Sequence, residues 1–225
     1  MVNLPPLNAI VDEDVAARFG WTVPALARAC FAGGATLLQV RAKRAGSGAY
    51  LRMCEDVVAL GREFAALVIV NDRADIARLA GASGVHVGQE DLPPAAVRAI
   101  VGSGAIVGLS THTREQVRAA LAEPVDYIAV GPVFGSTTKA TGYAAVDLEM
   151  VRDAARVTGE AGENGTVHSI VAIGGITIER AGAVIEAGAT TVAVVSDLLA
   201  TGDPEGRVRA YLERLSGSMT GRGLD

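Results

Sequence analysis

Eight short apolar runs, each bounded by glycine or polar residues and each followed by an amphipathic stretch, set the main constraint on how this chain folds. They read as strands near Asn8–Val11, Thr36–Val40, Ala66–Val70, Gly84–Val87, Ala105–Leu109, Tyr127–Val130, Ile170–Ile173 and Thr191–Val195. Helical patterns follow near Val23–Phe31, Gly48–Phe64, Ala74–Ala80, Pro94–Val101, Glu115–Ala122, Asp147–Val157, Ile178–Ala187 and Glu205–Leu215. Strict alternation of strand and helix, with strands that are almost continuous Val, Ile and Leu, is the mark of βα units on a parallel sheet. Eight such units in 225 residues favour a closed single-domain (β/α)8 TIM barrel over an open doubly wound sheet. One domain is expected over 1–225, with its core at about 7–215 and a frayed tail over 217–225. The longest connection, Gly131–Val146, is rich in Gly, Ser and Thr and reads as a functional loop, whereas Thr158–His168 reads as a solvated loop.

Composition narrows the function. Half the residues are hydrophobic but only 4% are aromatic, which suits a sheet buried on both faces. A net charge of -5 argues against nucleic acid or an anionic membrane as partner. An anionic ligand would need a local cluster of cations. Cys30 and Cys54 form no metal-binding or disulfide pattern, and two reduced thiols fit a cytoplasmic protein. No apolar run reaches transmembrane length, and the start lacks a signal-peptide layout. The chain leaves homo-oligomerisation open.

Barrel enzymes place their chemistry where strands run into helices. Gln39, Arg41 and Lys43 at the second strand's exit are two apart, so an extended backbone turns all three to one side. One amide and two cations suit a multiply charged anion, although solvated charges on a frayed end would look the same. Asn71-Asp72 and Gly88-Gln89-Glu90-Asp91 leave the next two strands. Their aspartates can converge on Mg²⁺, or each can cap a helix. Ser110 stands at the fifth strand's tip, and Thr113 with Gln116 reads as a capping box. His86 and His112 show no Ser, Cys or carboxylate partner in the sequence and are given no role. The acidic exit of the first strand, Val11-Asp12-Glu13, is given none either. Ser136-Thr137-Thr138-Lys139 supplies three hydroxyls and a cation, while Gly174-Gly175 and Val195-Ser196 follow strands seven and eight, where barrels commonly seat phosphate. The inventory divides into a cationic site with Mg²⁺ and a neutral backbone cup, which suits two phosphorylated ligands.

The segments Gln39-Val40-Arg41-Ala42-Lys43, Val70-Asn71-Asp72, His86-Val87-Gly88-Gln89-Glu90-Asp91, Ser136-Thr137-Thr138-Lys139 and Ile173-Gly174-Gly175-Ile176-Thr177 resemble the thiamine-phosphate synthase family in order and spacing. The resemblance runs from about Leu7 to Leu215. It implies a transferase that joins hydroxymethylpyrimidine diphosphate to thiazole phosphate, releasing pyrophosphate through a dissociative step. It implies that Gln39, Arg41, Lys43, Asn71, Ser110 and Lys139 hold the pyrimidine diphosphate, with Arg41, Lys43, Ser110 and Lys139 serving catalysis. Asp72 and Asp91 would bind Mg²⁺, and Ser136, Thr137, Thr138, Gly175, Val195 and Ser196 would seat the thiazole phosphate. Such chemistry needs charge neutralisation and positioning, not a nucleophile or strong base. The rival readings are a thiazole tautomerase, which has no use for a diphosphate-bound metal, and a non-catalytic relative that only binds phosphorylated ligands. A sugar-phosphate isomerase would require a base at a strand end.

Overall fold

The computed structural model describes residues 3–135, 144–162 and 168–220. Its strands are β1 (Leu7–Asp12), β2 (Leu37–Arg41), β3 (Leu67–Asn71), β4 (Gly84–Val87), β5 (Ile106–Thr111), β6 (Tyr127–Val130), β7 (Ser169–Ile173) and β8 (Thr191–Val194). Each pairs in parallel with the next, and β8 closes on β1, giving a (β/α)8 TIM barrel. The helices are α1 (Glu13–Arg18), α2 (Val23–Ala32), α3 (Ser47–Glu63), α4 (Ala74–Ala80), α5 (Pro94–Val101), α6 (Arg114–Ala120), α7 (Asp147–Gly162), α8 (Ile178–Glu186) and α9 (Pro204–Thr220). β4 and β6 keep their expected bounds, and no other strand end moves by more than two residues.

Three expectations about connections need correcting. Asp12 caps an unforeseen helix, α1, by accepting from Val15 N–H at 3.0 Å; six residues are too few to show a helical period. Thr158 to Gly162 belong to α7 instead of a loop. The Thr158 hydroxyl donates to the Ala154 carbonyl one turn back at 2.9 Å, so a residue type that favours loops is satisfied inside the helix. Gly217 to Thr220 continue α9 where fraying was expected. A short 3₁₀ turn, Ser196–Leu199, also follows β8.

Two apolar layers hold the barrel. The larger lies between the strands and the surrounding helices and takes in Leu38, Val40, Val70, Ile128, Val184 and Tyr211. The smaller fills the lumen with Leu4, Ile10, Leu37, Ile69, Ile106, Tyr127, Ala129, Val171 and Ala193. Gly108 makes room for the Tyr127 ring: a Cβ there would lie 2.0 Å from Tyr127 Cζ. The lumen is packed below and ends in small residues above, which leaves space at the C-terminal end of the strands.

Candidate active site

That space is a cavity holding about 980 Å³, its open mouth included. Strand alternation supplies its wall: Asn8, Ile10 and Asp12 from β1, Gln39 and Arg41 from β2, Asn71 from β3. His86, Ser110, Tyr127 and Ala129 continue round the lumen, and Gly174, Val195 and Ser196 complete the wall after β7 and β8. Of the residues predicted from the sequence, Gln39, Arg41, Asn71, Ser110, Val195 and Ser196 therefore share one cavity. Lys43, Asp72, Asp91 and Gly175 do not line it. Ser136, Thr137, Thr138 and Lys139 lie outside the described residues.

Lys43, Asp72 and Asp91 form a separate group at the rim, just past the β2 and β3 tips. Lys43 Nζ is 2.5 Å from Asp72 Oδ2, and the Asp91 carboxyl is in hydrogen-bonding contact with that of Asp72. Burial, then the Asp91 neighbour, raises the Asp72 carboxyl above its ordinary range, while Lys43 pulls the other way. Two crowded carboxylates with one lysine on Asp72 leave negative charge that a divalent cation would neutralise. Neither aspartate serves as the helix cap that was the alternative. α4 is entered at Arg73 and α5 at Pro93, while Asp91 Oδ2 accepts from Gly88 N–H at 2.7 Å. Asp72 sits at φ 64, a left-handed conformation that aspartate tolerates better than most residues. Its N–H donates to the His86 carbonyl at 2.7 Å, tying it to β4. Among the described residues no group of three or more His, Cys, Asp or Glu is placed to hold a metal, so protein ligands alone would not complete a coordination shell.

Two residues given no role from the sequence have partners on the cavity wall. Asp12, at the acidic first-strand exit, pairs with the Arg41 guanidinium. The pairing follows from register, which sets Asp12 opposite Arg41 across β1 and β2. His86 does have a serine partner: its Nε2 is 2.8 Å from Ser110 Oγ, and its Nδ1 is 2.9 Å from the Tyr127 hydroxyl. Burial drives the Tyr127 hydroxyl far above its ordinary range, so it keeps its proton. His86 thus bridges the two hydroxyls, and its tautomer sets which of them it donates to. The clue in the sequence was parity: His86 falls on the inward face of β4, two residues above Gly84. The capping box is also modified. Thr113 Oγ1 accepts from Gln116 N–H at 3.2 Å, but Gln116 Oε1 reaches back to His112 N–H at 2.7 Å, one residue before the cap.

The second site is less neutral than expected. Asp197 joins Val195 and Ser196 on the wall, and Arg207 and the Tyr211 hydroxyl hold its carboxylate at 2.7 and 2.5 Å. α9 thus clamps the turn after β8. Gly175, at φ 62, packs against the loop after β6 and not against the cavity: a Cβ would lie 2.3 Å from the Gly135 carbonyl oxygen. The Phe134 N–H donates to the Gly174 carbonyl at 3.0 Å, so the loops after β6 and β7 are locked together.

Comparison with known proteins agrees with this geometry. The family described as thiamine monophosphate synthase matches residues 7–198. A thiamine-phosphate synthase of Koribacter versatilis is 41% identical over 220 residues, covering 95% of this chain and 97% of that protein. Another, from Anaeromyxobacter dehalogenans, is 44% identical over 183 residues, covering 80% of this chain and 78% of its own. Among solved structures, a thiamine phosphate pyrophosphorylase from Pyrococcus furiosus superposes with a TM-score of 0.81 at 27% identity, covering 95% and 96% of the two chains.

Proposed function

This chain belongs to the thiamine monophosphate synthase family, and on that premise we propose the reaction it performs. It condenses 4-amino-2-methyl-5-hydroxymethylpyrimidine diphosphate with 4-methyl-5-(2-phosphoethyl)thiazole, carried as its carboxylated tautomer, to give thiamine phosphate, pyrophosphate and, from the carboxyl group, carbon dioxide. The observation that carries this reading is the division of the site: an uncharged cavity floor, with Arg41 higher on the wall and Lys43, Asp72 and Asp91 grouped at the rim. An aromatic ring suits the floor and a diphosphate suits the rim.

The bond from the pyrimidine methylene carbon to the diphosphate oxygen breaks, its electron pair leaving with pyrophosphate, and the thiazole nitrogen then donates its pair to that carbon. Arg41, aimed by Asp12, and Lys43 meet the departing charge, where fixed cations stabilise the transition state more than the ground state. Asp72 and Asp91 would hold Mg²⁺, which when bound supplies further charge neutralisation at the diphosphate. Gln39 and Asn71 face the ring, and Ser110, oriented by His86, offers it a hydroxyl. From the family resemblance, Lys139 adds a cation to the leaving group, and Ser136, Thr137 and Thr138, with the turns at Gly175 and Val195–Ser196, seat the thiazole phosphate. No described helix is long and apolar enough to cross a membrane, and with its two thiols reduced the enzyme is read as cytoplasmic. The test is to mix both substrates with Mg²⁺ and assay thiamine phosphate and pyrophosphate. Product is expected from the wild type, with most activity lost in Asp91→Ala and in excess EDTA. Full activity in EDTA would remove the metal from this reading.

A further inference from the structure

Among the described residues two aspartates line the cavity, Asp12 and Asp197, and each is paired with an arginine. The pairs differ in what the cavity meets. Arg41 lines the wall beside Asp12, so its charge is open to a ligand, whereas Arg207 is not on the wall and only Asp197 is. Asp197 follows directly on Val195 and Ser196, the turn proposed above to seat the thiazole phosphate, and lies within about 7 Å of it along the chain. A carboxylate without its counter-charge has the sign least suited to that place.

The counter-charge comes from α9. Arg207 donates to Asp197 Oδ2 from Nη2 at 2.7 Å and from Nε at 3.1 Å, and Nε also reaches the Asp197 carbonyl at 3.3 Å. The Tyr211 hydroxyl donates to the same Oδ2 at 2.5 Å, and burial holds it far above its ordinary range, so it keeps its proton. Glu179, exposed on the first turn of α8, is a further acid near Arg207. The Arg207 and Asp197 side chains are only 15% and 14% exposed, so water and salt screen the pair little. A buried pair of this kind adds little net stability over apolar side chains of the same size, so stability alone does not account for it. Its effect on the wall is larger. At an effective dielectric of about 20, an uncompensated unit charge about 7 Å from an anion weakens its binding by roughly 50-fold.

We infer that Arg207 is a positioning residue that acts on the thiazole phosphate through Asp197: by cancelling the carboxylate from behind, it keeps the wall after β8 neutral toward a phosphate. The inference rests on the seating of the thiazole phosphate proposed above. Its test titrates the thiazole phosphate, and the corresponding alcohol without phosphate, into wild type, Arg207→Gln, Asp197→Asn and the double variant. Arg207→Gln should bind the thiazole phosphate roughly 10- to 100-fold more weakly and the alcohol as wild type does. Asp197→Asn keeps an acceptor oxygen for Arg207 and Tyr211 but loses the charge, so it should bind the phosphate at least as tightly as wild type. The double variant should recover most of the loss. A clamp with a structural role alone would weaken both ligands in both single variants, without rescue. Unchanged phosphate affinity in Arg207→Gln, or equal loss of the alcohol, would therefore overturn the inference. So would a tenfold loss of phosphate affinity in Asp197→Asn, a measurement that does not depend on the Arg207 variant folding. All these outcomes leave the seating itself intact. A wild type with no affinity for the thiazole phosphate would instead overturn that seating, and this inference with it.

Discussion

At the scale of single residues, Asp12 shows how one carboxylate can serve both fold and site. Its Oδ1 caps α1 while its Oδ2 pairs with Arg41. The two uses can be separated. Asparagine caps a helix about as well as aspartate, whereas alanine loses a cap worth about 1 kcal/mol. Neither keeps the charge opposite a half-buried guanidinium. Asp12→Asn should therefore preserve most of the thermal midpoint while raising KM for the pyrimidine diphosphate, because Arg41 loses its orientation. Asp12→Ala should do the same to KM and also be less stable than Asp12→Asn by about 1 kcal/mol, the value of the lost cap. Thermal melts beside steady-state kinetics check this, and equal KM values for both variants and wild type would show that Arg41 needs no such partner. Tyr50 is a comparable anchor. From α3 its hydroxyl donates to the Val40 carbonyl at 2.9 Å and accepts from Asn71 N–H at 3.1 Å, holding the tips of β2 and β3 together below the anion site.

At the scale of elements, the active end depends on loops that brace one another. The chain re-enters the described structure at residue 144 and returns alongside the loop it left: Val146 N–H donates to the Pro132 carbonyl at 2.8 Å and Asp147 N–H to that of Val133 at 3.1 Å. Gly174 and Gly175 press on the same loop from the β7 side. Even a methyl group at Gly175 would meet the Gly135 carbonyl and impose a left-handed φ on a residue with a side chain. Gly175→Ala should thus displace the entry to the Ser136–Lys139 segment, lowering kcat and raising KM for the thiazole phosphate, with a stability loss of about 1–3 kcal/mol. Titration of the thiazole phosphate into the folded variant measures this, and wild-type affinity would show that the two loops act independently. The tie between α9 and the turn after β8 is of the same kind, with Arg207 and Tyr211 fixing Asp197 from the last helix of the barrel.

For the whole molecule, helices and sheet bury the two cysteines completely, Cys30 on α2 and Cys54 on α3. Burial pushes both thiols up to about 12. They should resist alkylation by iodoacetamide at about pH 8 in the folded protein and react once it is denatured, since the thiolate is the reactive form. The same shift links stability to pH. A group whose folded pKa exceeds its unfolded value favours the fold below the free-thiol range and loses that contribution as pH rises toward about 12. The thermal midpoint should accordingly fall with alkalinity more steeply for wild type than for a Cys30→Ala/Cys54→Ala double variant. Labelling of the native protein as fast as of the denatured one would mean that the barrel opens readily.

The order of elements and much of the cavity wall were legible in the chain because they rest on local rules, and the count of βα units favoured a closed barrel over an open sheet. Period-two alternation sent Gln39 and Arg41 inward, and βα rhythm counted the strands. What the sequence did not disclose depends on pairings between distant strands. Asp12 meets Arg41, and His86 meets Ser110 and Tyr127, only because sheet register sets β1 beside β2 and stacks β4, β5 and β6 at one level. Lys43 lies in the turn past β2 and Asp72 at a positive φ past the β3 tip, so both leave the cavity wall for a rim of their own. Asn8 reads as an ordinary residue in an apolar run until closure of β8 on β1 turns its face into a lumen that offers its oxygen no partner. Local propensity determines which residues form strands and which way they point; closure of the barrel decides which of them meet.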